Sequence, residues 1–195
     1  ISDIKITDLS IFNNFSIKII EYKKSSKILT NDCNHLVDSS WLVPTSGTTS
    51  TPKLSMHTFY TLSKNVKQSF CAKKPKYVWG LLYDISRYAG FQVLFQSLLG
   101  GGTLVSPKTE TPLYQKIKEF CDFSVTHISA SPTLWRKILM TSSAKELNLK
   151  QIVLGGEAAD QKILNILNKT FSKTKITHVF ASTEAGVAFS TSDLR

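Results

Sequence analysis

The sequence predicts an α/β fold: a mostly parallel sheet with helices on both faces. Three observations carry this. Short apolar runs of strand type alternate with longer amphipathic runs, strand then helix, about five times over. Gly and Pro punctuate the ends of those runs, as at Gly100, Gly101, Gly102, Pro112 and Pro132. The segments that follow the strands are rich in small and polar residues, and no repeat period or low-complexity tail interrupts the pattern.

Taken in order, the first forty residues say least and form a lead-in, 1–40, ahead of a core over 41–195. Residues 17–20 alternate like a strand, 27–30 could pair with them, and 31–34 read as a turn. Trp41, Leu42 and Val43 make a short apolar strand, and 54–57 a strand returning from the loop beyond it. Spacings of four between Leu62, Val66 and Phe70 predict a helix over 58–70, ended by Lys73, Lys74 and Pro75. A buried-type strand over 77–82 leads through Asp84 and Arg87 into an apolar helix carrying Tyr88, Phe91, Phe95, Leu98 and Leu99. After the three glycines comes a strand at 103–105. A helix follows from about 111, with Tyr114, Ile117, Lys118 and Cys121 recurring. A strand over 123–129 runs into a helix opened by Ser131 and Pro132, proline being well placed in a first turn. A strand over 151–154 ends in Gly155-Gly156-Glu157, and a helix over 159–171 turns Ile163, Leu164, Leu167 and Phe171 inward. The last clear strand is 176–180. In open parallel sheets ligands bind beyond the carboxyl ends of the strands. Four loops therefore matter, 45–53, 83–90, 155–157 and 181–186, and the topology groups them on one edge.

Composition narrows the class. The 195 residues suit one domain, or one and a fraction, and bury a sizeable core without staples. Cys33, Cys71 and Cys121 are odd in number and far apart, and no C-x-x-C occurs, so reduced thiols in a cytoplasmic setting are expected. No apolar run approaches the ~18 residues of a membrane span, and no signal-peptide pattern opens the chain. The net charge is +10, nearly all from Lys. That admits a nucleic-acid surface, but the lysine clusters are short and lack interleaved aromatics, so scattered lysine and an anionic nucleotide ligand are the favoured account.

The loop between the first two strands carries the most chemistry. Between positions 45 and 51 it holds four Thr, two Ser and Gly47, and it closes on Pro52 and Lys53. Small residues let backbone N–H groups and hydroxyls crowd an oxyanion, and Lys53 adds a full positive charge: chemistry for polyphosphate. The common phosphate loop G-x-x-x-x-G-K-[ST] is not matched, because Gly47 has no second Gly before the Lys and Leu54 follows it.

The stretch does resemble the T-S-G-T-T-G-x-P-K loop of adenylate-forming enzymes: acyl-CoA synthetases, aryl-acid ligases and peptide-synthetase adenylation domains. Thr45, Ser46, Gly47, Thr48, Thr49, Pro52 and Lys53 match, and Ser50 stands where the family has Gly. Gly155-Gly156-Glu157 is similar to the family's adenine-pocket segment, and 180–184 resembles its Y-G-x-T-E segment, with Ala181 in place of the usual Gly. The resemblance implies that Phe180 stacks on adenine and that Ser182 belongs to the nucleotide site. It also implies that Thr183 bonds the α-phosphate and Glu184 helps hold Mg²⁺. Arg87 falls at about the family's His position, so the resemblance places the acid pocket near Arg87, Tyr88 and Gly90.

What the resemblance implies, then, is a partial large domain of an adenylate-forming enzyme, the C-terminal lid domain being absent. The implied activity is ATP- and Mg²⁺-dependent activation of a small carboxylic acid. Transfer to coenzyme A or to a carrier protein's phosphopantetheine follows, with Lys53, Thr183 and Glu184 catalytic. Ending at Arg195, ahead of the family's later motifs, the chain is expected to be a fragment or short member, weakly active alone. A non-catalytic nucleotide-binding or interaction module stays open beside the ligase.

Overall fold

The computed structural model describes residues 40–45, 53–66 and 77–192. The expected strands and turn of 17–34, and Ser46, Gly47, Thr48, Thr49 and Ser50 of the phosphate-type loop, lie outside the described residues.

Two sheets form. Strands β1 (Ser40–Thr45) and β2 (Lys53–Thr58) pair antiparallel as a hairpin, Thr45 opposite Lys53 and Trp41 opposite His57. The second sheet has six strands in the order β4-β3-β5-β6-β7-β8. Its members are β3 (Val78–Gly80), β4 (Thr103–Val105), β5 (His127–Ala130), β6 (Gln151–Gly155), β7 (Lys175–Ser182) and β8 (Gly186–Ser192). All its pairings are parallel except β7 with β8. The mostly parallel sheet is thus as the alternation predicts, with two corrections. The first strand and its loop belong to the hairpin, not to the main sheet. And 176–180 is not the last strand: β8 folds back along β7, with a register shift between Phe180 and Ala181.

Crossovers connect the parallel strands, since only a segment long enough to return can join them. These are α2 (Tyr88–Leu98), α3 (Leu113–Asp122), α4 (Pro132–Leu139) and α5 (Gln161–Thr170). Their starts are legible in local chemistry. The Ser131 hydroxyl accepts from the Leu134 amide with Pro132 behind it, and Asp160 caps the Ile163 amide at 2.9 Å. The helix expected over 58–70 is only α1 (Phe59–Ser63) among the described residues. It is opened by a reciprocal Thr58–Thr61 capping box and followed by a turn at Lys64 and Asn65. The strand expected from 123 starts at His127, because 123–124 turn out of α3 and Ser124 takes a positive φ of 52°. On α3 the buried face carries Ile117 and Phe120, whereas Tyr114 is exposed.

Successive strand residues face opposite sides of the sheet. On one side Ile128, Ala130, Ile152, Leu154 and Ile176 pack against α3, α4 and α5, whose Phe120, Trp135 and Leu167 are fully buried. On the other side α2 lays Val93 over Trp79 and Leu81. The hairpin, α1 and α2 share a cluster of Val43, Leu62, Val66, Tyr88 and Phe95, to which Trp41 adds an edge-on ring 5.4 Å from Phe91. Among the described residues, three helices cover the first face and one covers the second.

Two outcomes follow from this core. Trp135→Ala removes a fully buried indole and is expected to cost about 4 kcal/mol, read as a lower urea midpoint at unchanged slope. His127 is buried between the Tyr77 and Trp79 rings, and burial, with Lys150 adding to it, lowers its pKa to about 4. The unfolded chain, with an ordinary histidine near 6.5, binds about one more proton between those values. Stability is therefore present above pH 6.5 and drains as pH falls toward 4. Urea midpoints across that window show the slope, and His127→Gln flattens it.

Candidate functional site

A cleft of about 810 Å³ opens at the carboxyl ends of β3, β6 and β7, between the thinly covered sheet face and α2. Its walls are apolar, with Trp79, Val93, Val153 and Val179. Toward the amino ends of the strands the floor is polar and uncharged, and there the Gln151 Nε2 donates to Thr177 Oγ1 at 3.2 Å.

Three of the four expected loops meet at this cleft. Arg87 and Tyr88 enter it from the start of α2. Gly155 and Gly156 line it after β6, and Ala181, Ser182, Thr183 and Glu184 after β7. The fourth loop reaches it through its stem, where Pro44 joins the lining. Thr45 is buried, and its Oγ1 finds no hydrogen-bond partner among the described residues. Lys53 stands exposed opposite it at the loop end of the hairpin.

Three expected residues sit elsewhere. Phe180 is not in the cleft lining: strand alternation sends Thr177, Val179 and Ala181 to the cleft. Phe180 stacks instead on Phe189 of β8, ring centroids 5.1 Å apart. Glu157 turns its carboxylate to α4, where Oε2 accepts from the Thr133 amide at 3.1 Å. Hydrogen bonds from Thr133 hold that carboxyl below the usual range, helped by Ser131 and Arg136, as suits an anion at a helix N-terminus. Gly90 is buried rather than cleft-lining, and a Cβ there would strike the carbonyl of Asp84. It lets α2 approach the 84–85 turn. Asp84 builds that turn, its Oδ1 accepting from the Ser86 amide and hydroxyl, both at 2.8 Å, which also lowers its pKa.

Tyr83, Gln92 and the β8 residues Val187 and Ser190 line the cleft without having been singled out. Tyr83 donates to the Gly155 carbonyl at 3.3 Å, bracing the Gly-Gly turn. Burial raises its pKa to about 12, a Ser129 hydrogen bond offsetting part and Glu157 adding to it, so it is a neutral donor at any ordinary pH. Period-two alternation along β6 would have found Val153 with Gly155; the low-hydrophobicity run 186–192 gave no such signal for β8. His57 is buried under the Thr183 turn. His178 lies on β7, paired on both sides, with its Nε2 3.1 Å from the Glu157 carbonyl.

The fit to a nucleotide rests on two features. One is the orphaned Thr45 hydroxyl at the stem of the phosphate-type loop. The other is Gly156, whose φ of +80° and empty surroundings leave its backbone open to a ligand. For a divalent cation, no group of three His, Cys, Asp or Glu occurs among the described residues, and Glu184 is the carboxylate in the cleft lining. That donor set fits magnesium only where phosphate oxygens complete the coordination, the usual arrangement for this ion. No helix among the described residues is long and apolar enough to cross a membrane.

Fold and cleft together define a mostly parallel α/β protein with a cleft at the carboxyl edge of its sheet, the place where ligands bind in open sheets of this kind. A family model for AMP-binding enzymes matches residues 12–195, and the chain belongs to that family. It is 29% identical over 164 residues to gramicidin S synthase 2 of Brevibacillus brevis, covering 79% of this chain and 4% of that protein. The Klebsiella oxytoca NpsA N-terminal subdomain, solved with anthranilyl-AMSN, superposes with a TM-score of 0.66 at 18% identity over 78% of this chain and 41% of its own. Holo-PA1221, an NRPS protein containing adenylation and PCP domains, gives 0.66 at 17% identity, over 78% of this chain and 27% of its own. The chain thus spans well under half the length of these relatives, and the structural matches speak for the fold, that of adenylate-forming enzymes.

Two glycines separate space from conformation. Gly90→Ala is expected to cost about 2–3 kcal/mol, because backbone must move. Gly156→Ala should cost only about 1 kcal/mol, the strain of a left-handed residue in open space. Urea unfolding of the two variants ranks them.

Proposed function

We propose that this chain carries the nucleotide- and acid-binding core of an AMP-forming acid:thiol ligase. The observation that carries the reading is convergence: the Gly155-Gly156 turn, the Thr183-Glu184 turn and the stem of the phosphate-type loop meet at one cleft, beside an apolar chamber. In the first half-reaction a carboxylate oxygen of the acid attacks the α-phosphorus of ATP. The bond to the bridging oxygen breaks, pyrophosphate leaves, and an acyl-adenylate remains. In the second, a thiol sulfur attacks the acyl carbon, AMP leaves, and a thioester forms on coenzyme A or on a carrier protein's phosphopantetheine.

The chain's own groups bring position and charge, the main needs of transfer at phosphorus. Lys53 and the hydroxyls of Thr45, Ser46, Thr48 and Thr49 neutralise and cradle phosphate oxygens. Thr183 donates to the α-phosphate, and Glu184 supplies the carboxylate for Mg²⁺, which when bound offsets phosphate charge. Gly155, Gly156, Ala181 and Ser182 offer backbone to the adenosine, with Glu157 holding their turn from behind. Phe180 would meet adenine only from the β8 side of its strand, so the nucleotide's base is assigned to the Gly-Gly turn rather than to this ring. The acid occupies the chamber under Arg87 and Tyr88, whose apolar walls and neutral floor exclude water and suit an uncharged body. The setting is the cytoplasm, where ATP is at hand.

A thermal-melt titration with Mg·ATP tests the reading, with GTP and a Lys53→Ala, Glu184→Ala double variant as controls. At about 100 times Kd the nucleotide adds about 2.7 kcal/mol. For a chain of this size that is roughly 5–10 °C. An ATP-selective shift absent from the double variant is the expected result. No shift in the unaltered chain would favour the alternative, a module that keeps the fold without turnover.

A further inference from the structure

We propose that His57 is a positioning residue that locks the Thr183-Glu184 turn to the stem of the phosphate-type loop. The functional consequence rests on the nucleotide reading above; the lock itself stands on geometry alone.

His57 lies on β2, is 5% exposed, and places Nε2 at 2.6 Å from the Thr183 carbonyl, 126 residues away in sequence. A carbonyl only accepts, so Nε2 carries the proton and donates. The Ser55 hydroxyl lies 3.2 Å from the same nitrogen and can share that proton. Nδ1 faces the Thr61 hydroxyl at 3.2 Å, and Thr61 is the residue that closes the α1 capping box with Thr58. The ring also packs 5.6 Å from the Tyr88 ring at the start of α2. One imidazole therefore touches the hairpin, the cap of α1, the first residue of α2 and the β7–β8 turn.

The turn it grips is the one that lines the cleft with Thr183 and Glu184. Within the turn the Ala185 amide donates to Ser182 Oγ at 3.1 Å. At its end Gly186 takes a φ of +75°, with the Tyr88 hydroxyl 3.0 Å from where a Cβ would stand. Neither feature fixes the turn against the hairpin; the His57 bond does. Its other end runs down β2 to Lys53, four residues along a ladder paired from Thr58 to Lys53. A hydrogen-bonded ribbon does not stretch, so the cation at one end and the hydroxyl and carboxylate at the other are held at one spacing. An apolar side chain would fill the same volume and leave the Thr183 carbonyl without its donor. The neighbouring charges are Arg87 before α2 and Glu184 in the turn, both lining the cleft, and the exposed Lys53 on the same strand.

The test compares His57→Leu, which fills space without a donor, with His57→Gln, whose amide nitrogen reaches the place of Nε2. Amide hydrogen exchange is followed on the ligand-free chain, and Mg·ATP affinity is measured by titration. With the Leu variant, exchange at Ala185 and its neighbours should quicken about tenfold while β5 and β6 keep their protection, and Gln should restore it to within about threefold. Nucleotide affinity should follow, weakened about tenfold by Leu and largely kept by Gln. Equal exchange in all three proteins, or a uniform acceleration that Gln does not rescue, overturns the assignment. If the unaltered chain binds no nucleotide, the ligase reading fails, and the exchange pattern still decides the role of His57.

Discussion

The rest of the structure depends on one constraint: a parallel sheet has two apolar faces, and both must leave water. Here they leave it unequally. Trp135, Phe120 and Leu167 close the first face under α3, α4 and α5. The second is closed by α2 and, at its edge, by the hairpin cluster around Val43 and Phe95. Val153, Thr177 and Val179 belong to that second face, and what covers them is a cleft. The cleft is the part of that second face that α2 leaves uncovered, which is why its walls are strand residues of one parity and its mouth is a set of loops.

Charge is distributed to match. Two ionisable groups are held neutral by burial: Tyr83 is pushed to about 12 and His127 to about 4. Charged side chains that line the cleft, Arg87 and Glu184, come from loops at its rim. Carboxylates placed behind the rim are occupied with structure. Glu157 is set on the N-terminus of α4 and Asp84 on the Ser86 turn, while Asp160 meets Arg136 at 2.8 Å across exposed surface. Among the described residues Glu184 is thus the one carboxylate in the cleft lining.

Much of this was legible in the sequence, because the signals were local. Apolar runs bounded by Gly and Pro gave the crossovers, Ser131-Pro132 gave a helix start, and the Gly-Gly and Thr-Glu segments gave two loops that do meet. What escaped was relational. Whether β1 joins the main sheet or a hairpin depends on pairing, which periodicity does not encode. The strand β8, with Ala188, Phe189 and Ser190 all exposed, has no buried face to write an alternating pattern. Phe180 was assigned by its place in a motif, whereas its side is set by parity with Val179 and Ala181. Gly90 was placed at the acid pocket by the family resemblance, yet in the structure it lets two backbones touch. His57 belongs to no motif, and its partner is the Thr183 carbonyl, which sequence does not display.

The polar floor has a geometric meaning. Gln151 and Gly155 are the two ends of β6, and four strand residues span about 13 Å. Thr177 and the Gln151 amide therefore lie that far below the turn that opens the cleft. From the Gly155 end the lining runs past Val153 and, level with it on β5, Ser129 before it reaches Gln151. The chamber is thus one strand deep, with a hydroxyl partway down and an amide at its far end.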